Sequence, residues 1–254
     1  MSASRTFLIS GAANGIGRAV AEHFATDEAH RLILVDRDLA QLQSWVGNGA
    51  FAASIETHGV DIADLASVQA LFNDLSVRLG YIDVLVNSAG VCNENEPEDL
   101  DNWHKVISVN LNGTFYVTSL CLPLLADRGR IINLSSILGR IGKVRNTAYC
   151  ASKHGIIGMT KALALDLAPR RITVNAILPA WIDTPMLQGE LATQASIAGI
   201  SQEQILRNAK KKLPLRRFIQ ADEVAAMVRY LVSPEASGVT AQSLMIDGGA
   251  GLGM

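Results

Sequence analysis

Residues 6–17 read TFLISGAANGIG, a short apolar run followed by a turn that contains three glycines. After the turn, apolar residues from Ile16 to Phe24 repeat at helical spacing. A glycine-rich turn between a strand and a helix lets the backbone approach a pyrophosphate, whose charge the helix N-terminus favours. The spacing of Gly11, Gly15 and Gly17 differs from G-x-G-x-x-G, so the turn alone is only a weak indication of a dinucleotide site.

The same alternation of apolar runs and helical patterns continues to the end of the chain. Further strands are predicted at residues 31–36, 58–62, 82–90, 130–136, 172–179 and 243–249. Continuous apolar strands that alternate with helices form parallel sheets with helices on both faces. The sequence therefore predicts an α/β, doubly wound Rossmann fold with about seven strands.

No linker rich in Pro, Gly or Ser divides the sequence, so we expect one domain over residues 1–254. Residues 185–213 break the regular pattern between the sixth strand and the last helix. A segment of that length is often a lid over a site, and we expect a substrate lid here.

Composition excludes several classes of protein. A net charge of −2 gives no basic footprint for nucleic acid. Cys92, Cys121 and Cys150 are too scattered for a disulfide framework or a metal cluster, and no histidine pair has ligand spacing. We therefore expect no metal site and a reducing, cytoplasmic compartment. The N-terminus also lacks the apolar stretch of a signal peptide.

One run, residues 106–126, carries no charge over a length that could cross a membrane. Asn110, Gly113 and Pro123 within it are poorly tolerated by hydrocarbon, so we expect no membrane partner and predict a buried helix. Together with the apolar helix at 149–168, this run has more apolar surface than one sheet face can cover. It predicts packing between subunits.

An acidic residue supports a dinucleotide site. Asp36 ends the second predicted strand, where an acid binds ribose hydroxyls. A carboxylate there repels a 2′-phosphate, and Asn14 supplies no positive charge for one, so NAD is favoured over NADP. Arg37 has two interpretations, because it could pair with a phosphate or stack on the adenine.

Residues 148–153 read AYCASK and place Tyr149 and Lys153 one helical turn apart. They form either a packing face or a base with its cation. Tyrosine, with a pKa of about 10, is a poor base, but a nearby cation lowers that pKa. Ser136 ends the fifth predicted strand and could stabilise charge on a substrate oxygen, with Ser135 as a competitor.

Asn110 lies within a helical pattern, where asparagine is a poor helix former. Its side chain, or a backbone carbonyl freed by a kink, could hold a water that relays protons. Alternatively, it is a buried amide satisfied by the backbone.

Five segments in order resemble the short-chain dehydrogenase/reductase family. SGAANGIG resembles the TGxxxGIG turn, NSAG at 87–90 resembles NNAG, and LSS with YxxxK resembles the catalytic serine, tyrosine and lysine. VNAILPAWIDTPM and MIDGG resemble the later motifs, so the similarity runs from about residue 5 to 249. Ser88 and Ala180 depart from the family pattern, and Ala180 adds a methyl near the expected nicotinamide loop.

The resemblance implies catalytic roles for Asn110, Ser136, Tyr149 and Lys153, with the lysine also bonding the cofactor ribose. It implies an NAD site made of Gly11, Asn14, Gly15, Ile16, Gly17, Asp36, Arg37, Asp61, Ile62, Asn87, Ala89, Gly90, Tyr149, Lys153, Pro179, Ile182 and Thr184. Ile62 and Ile182 could instead be core residues, and Asp61 could be a turn acid before the helix that follows.

The expected function is hydride transfer between NAD and a secondary alcohol or ketone. Leu138, Trp181, Met186 and Leu187 predict an apolar pocket wall, whereas Arg140, Lys143 and Arg145 are expected in a solvated loop. Leu138 and Asn146 do not reproduce the carboxylate-binding set of the family's 3-hydroxybutyrate branch. The alternatives are an NADPH-dependent 3-oxoacyl thioester reductase and a non-catalytic dinucleotide-sensing protein. The family resemblance implies a homotetramer, with a homodimer as the alternative.

Overall fold

The computed structural model describes residues 4–252, apart from the side chains of Lys212 and Leu252. The strands are β1 (Arg5–Ser10), β2 (His30–Asp36), β3 (Ser54–Gly59), β4 (Ile82–Asn87), β5 (Leu125–Leu134), β6 (Thr173–Pro179) and β7 (Ser243–Ile246). The α-helices are α1 (Gly15–Phe24), α2 (Leu39–Asn48), α3 (Leu65–Arg78), α4 (Leu100–Ile107), α5 (Thr114–Cys121), α6 (Thr147–Leu167), α7 (Pro185–Ala198), α8 (Gln202–Lys212) and α9 (Ala221–Val232).

All seven strands form one parallel sheet in the order β3-β2-β1-β4-β5-β6-β7. The chain moves outward from β1 to β3 and then returns to the other side of β1 with β4. The predicted fold class is confirmed. A crevice opens where the strand order reverses, at the carboxyl ends of β1 and β4, and this is where ligands bind in open parallel sheets.

Both faces of the sheet are covered. Phe7 and Ile9 of β1 pack with α1, α2 and α9 on one face, whereas Leu8 packs with α3, α5 and α6 on the other. Because both faces are buried, the central strands are apolar at nearly every position, which is why their sequences show no alternation. Within residues 4–252, no helix combines the length and the apolar character that crossing a membrane requires.

The third strand differs from the prediction. It occupies Ser54–Gly59, so the predicted segment 58–62 overlaps only its last two residues. β3 pairs with β2 alone and forms an edge, where its side chains are exposed or half-buried and, apart from Ile55, mostly polar. Val60 and Ile62, which suggested a strand, are buried beyond its end.

The uncharged run at 106–126 is also not the single buried helix that its composition predicted. α4 ends at Ile107, Ser108–Gly113 form a π-helical turn, α5 ends at Cys121, and β5 begins at Leu125. Half of the Phe115 side chain is exposed on α5, so this element is not fully buried within one chain. The segment 185–213 contains α7 and α8, and Leu187, Leu191 and Leu213 from it pack with Phe218 in a small separate cluster.

Candidate active site

The glycine turn joins β1 to α1 at the crevice. Gly11 has a φ of +71°, and its N–H donates to the carbonyl of Val35 at 2.8 Å, which ties the turn to β2. A Cβ on Gly11 would lie 2.6 Å from the Cα of Ala89, so the two turns meet without room for a side chain. A Cβ on Gly17 would overlap the carbonyl of Gly11. Gly17 therefore packs α1 against the turn, and its contact with a cofactor stays a prediction.

A cleft runs over this turn. It is lined by Gly11, Asn14, Gly15, Ile16, Val35, Asp36, Arg37, Val60, Asp61, Ile62, Ser88, Ala89, Gly90, Val91, Val109, Thr184 and Met186. The side chain of Asn14 makes no capping hydrogen bond to α1, and the first turn of α1 contains no acidic residue. The first N–H groups of α1 therefore remain free to bind a phosphate, as a dinucleotide site requires.

Asp36 lies in this cleft at the end of β2. One carboxylate oxygen accepts the Ala13 N–H and the other accepts the Asp38 N–H, both at 3.0 Å. These bonds fix the carboxylate against the glycine turn. Arg37 is exposed beside it and has no ion pair within the described part of the chain.

Asp61 and Ile62, beside this cleft, were each given a structural interpretation and a cofactor-binding interpretation. Asp61 accepts the Ala63 N–H at 2.9 Å as a turn acid, and it also lines the cleft. Ile62 is 5% exposed and belongs to the core, yet it too reaches the cleft wall. The structural interpretation of each residue is thus seen in its contacts, and its position in the cleft wall leaves the cofactor contact as a prediction.

Asn87 does not reach the cleft. Its amide nitrogen donates to Thr118 at 2.9 Å and to Asn133 at 2.8 Å, in the interior at the carboxyl end of β4. Thr118 in turn donates to the Thr114 carbonyl at 2.7 Å. Neighbouring side chains within the core therefore take up its amide, and the placement of Asn87 beneath a ribose stays a prediction.

Ser135 and Ser136 end β5 and have different environments. Ser135 Oγ donates to the Lys153 carbonyl at 2.9 Å, which makes it a structural partner of α6. Ser136 Oγ accepts the Leu138 N–H at 3.1 Å and lines a second cavity together with Tyr149. Of the two serines, Ser136 is therefore the one placed beside the phenol.

Tyr149 and Lys153 lie on one face of α6. The Lys153 ammonium is 5.6 Å from the centre of the Tyr149 ring and donates to the Leu134 carbonyl at 2.8 Å. Burial raises the pKa of Tyr149 well above its usual value, although a hydrogen bond with Ser136 acts in the opposite direction. Burial also lowers the pKa of Lys153 to about 8. The pKa of the phenol is thus raised rather than lowered in the protein alone, because desolvation outweighs the hydrogen bond with Ser136.

Asn110 lies in the π-helical turn and is 1% exposed. Its Oδ1 accepts the Val91 N–H at 2.8 Å, and its Nδ2 donates to the Val91 carbonyl at 2.9 Å and to Ser152 at 3.2 Å. The side chain is thus satisfied by protein. The backbone carbonyl of Asn110 accepts a hydrogen bond from the Thr114 hydroxyl at 2.7 Å.

The second cavity has a volume of about 320 Å³, within the range of small-molecule sites. It is lined by Ile16, Cys92, Ser135, Ser136, Ile137, Leu138, Ile141, Gly142, Lys143, Tyr149, Pro179, Ala180, Trp181, Ile182, Thr184, Met186, Leu187 and Glu190. Ile16, Thr184 and Met186 border both cavities, so the two form one continuous cleft. Pro179 and Ile182, expected near a cofactor, line this second part.

Two polar wall residues received no role in the pocket from the sequence. Cys92 lies just after Gly90, and Glu190 lies on α7, within the segment 185–213 that was expected to form a lid. Their spacing carries no motif, so only the fold shows that they face Tyr149. Within residues 4–252, no group of three or more His, Cys, Asp or Glu side chains could hold a metal ion.

The geometry agrees with known proteins of one family. A family model described as Enoyl-(Acyl carrier protein) reductase matches residues 11–251. A putative ketoacyl reductase of the monensin polyketide synthase of Streptomyces virginiae is 39% identical over 259 residues, with 98% of each chain covered. The D-beta-hydroxybutyrate dehydrogenase of Cupriavidus necator is 32% identical over 250 residues, covering 96% of this chain and 97% of its own.

Among solved structures, an actinorhodin polyketide ketoreductase with NADPH matches with a TM-score of 0.89 and 35% identity, over 98% of this chain and 97% of its own. Levodione reductase matches with a TM-score of 0.87 and 30% identity over 100% of both chains. The chain belongs to the short-chain dehydrogenase/reductase family. It is an oxidoreductase with a nicotinamide dinucleotide site.

Proposed function

We propose that this chain transfers hydride between NAD(H) and a neutral secondary alcohol or ketone. The observation that carries the proposal is the continuous cleft, which has Asp36 at one end and the Ser136–Tyr149 pair at the other. A dinucleotide laid from Asp36 across the glycine turn has its nicotinamide end directed toward Tyr149. A substrate in the second cavity then lies against both hydroxyl groups.

The proposed roles follow from these positions. Ser136 hydrogen-bonds the substrate oxygen, and Tyr149 transfers the proton. Because burial raises its pKa, Tyr149 is protonated near neutral pH and is ready to donate to a ketone oxygen. Lys153, mostly charged below pH 8, stabilises the phenolate that results. The nicotinamide, when bound, supplies or accepts the hydride.

Asn110 is proposed to act through its main chain. The π-helical turn and the Thr114 hydroxyl orient its carbonyl, which can hold a water on the path to Lys153. The amide side chain instead fixes Val91, next to Gly90. A Cβ on Gly90 would lie 3.6 Å from the Lys153 ammonium, so this loop sits against the proposed proton path.

The preference for NAD rests on Asp36. Its carboxylate, held by two backbone N–H groups, is placed to accept the ribose hydroxyls and to repel a 2′-phosphate. A second candidate function is NADPH-dependent reduction of a 3-oxoacyl thioester. It is favoured by Arg37, which lies in the cleft with no ion pair among the residues described, and by the ketoacyl reductases among the relatives. A titration of purified protein with NADH and NADPH separates the two, since a strong NADPH preference would favour the second.

The catalytic proposal is tested by replacing Tyr149 with Phe. The variant is expected to lose ketone reduction by at least about 1,000-fold, in line with loss of a general acid. NADH binding, followed by its fluorescence, should remain. Near-normal turnover in Y149F would contradict the mechanism. Tight NADH binding by a wild type that turns over no alcohol or ketone would support the non-catalytic sensor.

We also propose that the protein assembles as a homotetramer or homodimer through α5 and α6. Phe115 is 50% and Leu165 is 75% exposed on these helices, which is unfavourable for large apolar side chains facing water. Light scattering of the purified protein tests this directly. A monomer at micromolar concentration would contradict it.

A further inference from the structure

The cavity beside Tyr149 contains two charged side chains that its otherwise apolar wall does not explain. Lys143 enters from the loop before α6, and Glu190 enters from α7. The Lys143 ammonium lies 3.6 Å from the Glu94 carboxylate, so an ion pair largely neutralises it. Glu190 has no ion pair within the described residues and is half-buried against the cavity.

The neighbours of Glu190 place its carboxylate on the substrate side of the wall. Burial raises the pKa of both Cys92 and Tyr149, and the charge of Glu190 adds to the rise in each, while the Cys92 thiol itself lies 3.9 Å from Asn146 Oδ1. Ile137, Leu138 and Trp181 line the same cavity with apolar surface. An uncompensated carboxylate in such a cavity attracts hydrogen-bond donors and repels anions.

We propose that Glu190 is a specificity-determining residue that accepts a hydrogen bond from a substrate hydroxyl and rejects substrates with a carboxylate at that end. The inference rests on the proposed function and narrows its substrate class to hydroxyketones and the corresponding polyols. Because Lys143 pairs with Glu94, Glu190 is the charged group of this wall that has no ion pair among the described residues.

A series of methyl ketones tests the substrate class. Its members end in a methyl, a hydroxyl or a carboxylate group at the far end of the same chain. Wild type should reduce the hydroxyl member with a kcat/KM about tenfold above the methyl member and should discriminate against the carboxylate. Glu190→Gln should keep the hydroxyl preference, since its amide oxygen still accepts, and should relax rejection of the carboxylate about fivefold. Glu190→Met should lose both effects.

The matched control is Glu203→Gln. Glu203 is an exposed glutamate on α8 whose carboxylate pairs with Arg207 and does not line the cavity. This variant removes the same charge from the neighbouring helix and should leave every ratio unchanged. Equal ratios in wild type, Glu190→Gln and Glu190→Met would overturn the proposal.

A second measurement does not depend on turnover. Iodoacetate and iodoacetamide have similar shapes but differ in charge, and both alkylate a cysteine thiolate. The ratio of their rates at Cys92, followed by peptide mass spectrometry, cancels the thiolate fraction and reports the charge of the cavity. Glu190→Gln should raise the iodoacetate-to-iodoacetamide ratio about fivefold, and Glu203→Gln should not.

The two readouts separate the two proposals. If wild type reduces no ketone with either cofactor, the proposed function fails, and the alkylation ratio alone decides the role of Glu190. If the ratio at Cys92 is the same with and without the Glu190 charge, the inference fails even in an active enzyme.

Discussion

Replacing Asp36 with Asn removes one negative charge from the cofactor cleft and keeps the shape of the side chain. Asp36 accepts the N–H groups of Ala13 and Asp38, each at 3.0 Å, whereas Asn offers one acceptor oxygen and turns a donor toward the other N–H. For a partly exposed group, this change costs about 1 kcal/mol of folding free energy. We therefore expect the melting temperature to fall by about 2–4 °C.

The effect on the cofactor should be larger. Loss of a hydrogen bond from a ribose hydroxyl to a charged acceptor costs about 1.5–3 kcal/mol, which is about 10- to 150-fold in kcat/KM for NADH. Removing the negative charge of Asp36 also removes its repulsion of a 2′-phosphate, which should strengthen the binding of NADPH. The ratio of kcat/KM for NADH over NADPH should fall by about 100-fold. Absorbance assays with both cofactors measure it, and calorimetry measures the stability.

Asp38→Asn provides a matched control. Asp38 caps α2 by accepting the Gln41 N–H at 2.9 Å and does not line the cleft. The variant loses the same charge two residues away and should lower the melting temperature, while the cofactor ratio remains that of wild type. An unchanged ratio in Asp36→Asn, or an equal change in Asp38→Asn, would refute the assignment of cofactor preference to Asp36.

Three further predictions follow from the packing around the site. Gly17→Ala should lower the free energy of unfolding by about 3 kcal/mol, because the added Cβ would come within 2.7 Å of the Gly11 carbonyl carbon. Gly47→Ala should instead raise the free energy of unfolding by about 0.5–1 kcal/mol, because Gly47 has open space around it on α2. Denaturant titrations measure both, and equal values would contradict the close approach. Ser135→Ala should mainly reduce stability, by about 1–3 kcal/mol, because the Lys153 carbonyl loses its donor. Ser136→Ala should mainly reduce kcat, by about 100-fold or more, so the reverse pattern would exchange the two roles. Finally, burial lowers the pKa of Lys153 from 10.5 to about 8. Between these pH values the unfolded chain binds more protons than the folded chain, so the free energy of unfolding increases as pH rises from 8 to 10.5. The wild type should gain on the order of 3 kcal/mol more than Lys153→Met between pH 8 and pH 10.5, and a parallel pH profile for the two proteins would count against the burial of a charged amine.

The central strands were predictable because burial on both faces leaves a continuous apolar run. β2, β4 and β6 begin or end within one to three residues of the predicted segments. β3 was misplaced because an edge strand has exposed polar positions, and the apolar residues that follow it belong to a loop that reaches the core. An apolar pattern in the sequence indicates which residues are buried, and it locates a strand only where the buried residues are also the strand residues.

The positions of the glycine turn and of Asp36 were predictable because each directly follows or ends a strand, and β1 and β2 are consecutive in the sequence. Asn87 was not, since its side chain could turn either into the cleft or into the core. That choice depends on Thr118 and Asn133, which lie on two other elements. Glu190 carries no local signal either, because its significance depends on the absence of an ion pair, which only the packed chain reveals.

Tyr149 and Lys153 show where reasoning from spacing stops. Four positions on a helix correctly placed a cation near a phenol, and Coulomb attraction between them favours the phenolate. The same helix, however, buries Lys153 and half-buries Tyr149, and desolvation raises the pKa of the phenol and lowers that of the amine. Burial therefore favours the neutral form of each. Spacing therefore predicted that the two groups lie close together, but it did not predict the pKa of either, because desolvation depends on how the whole site packs.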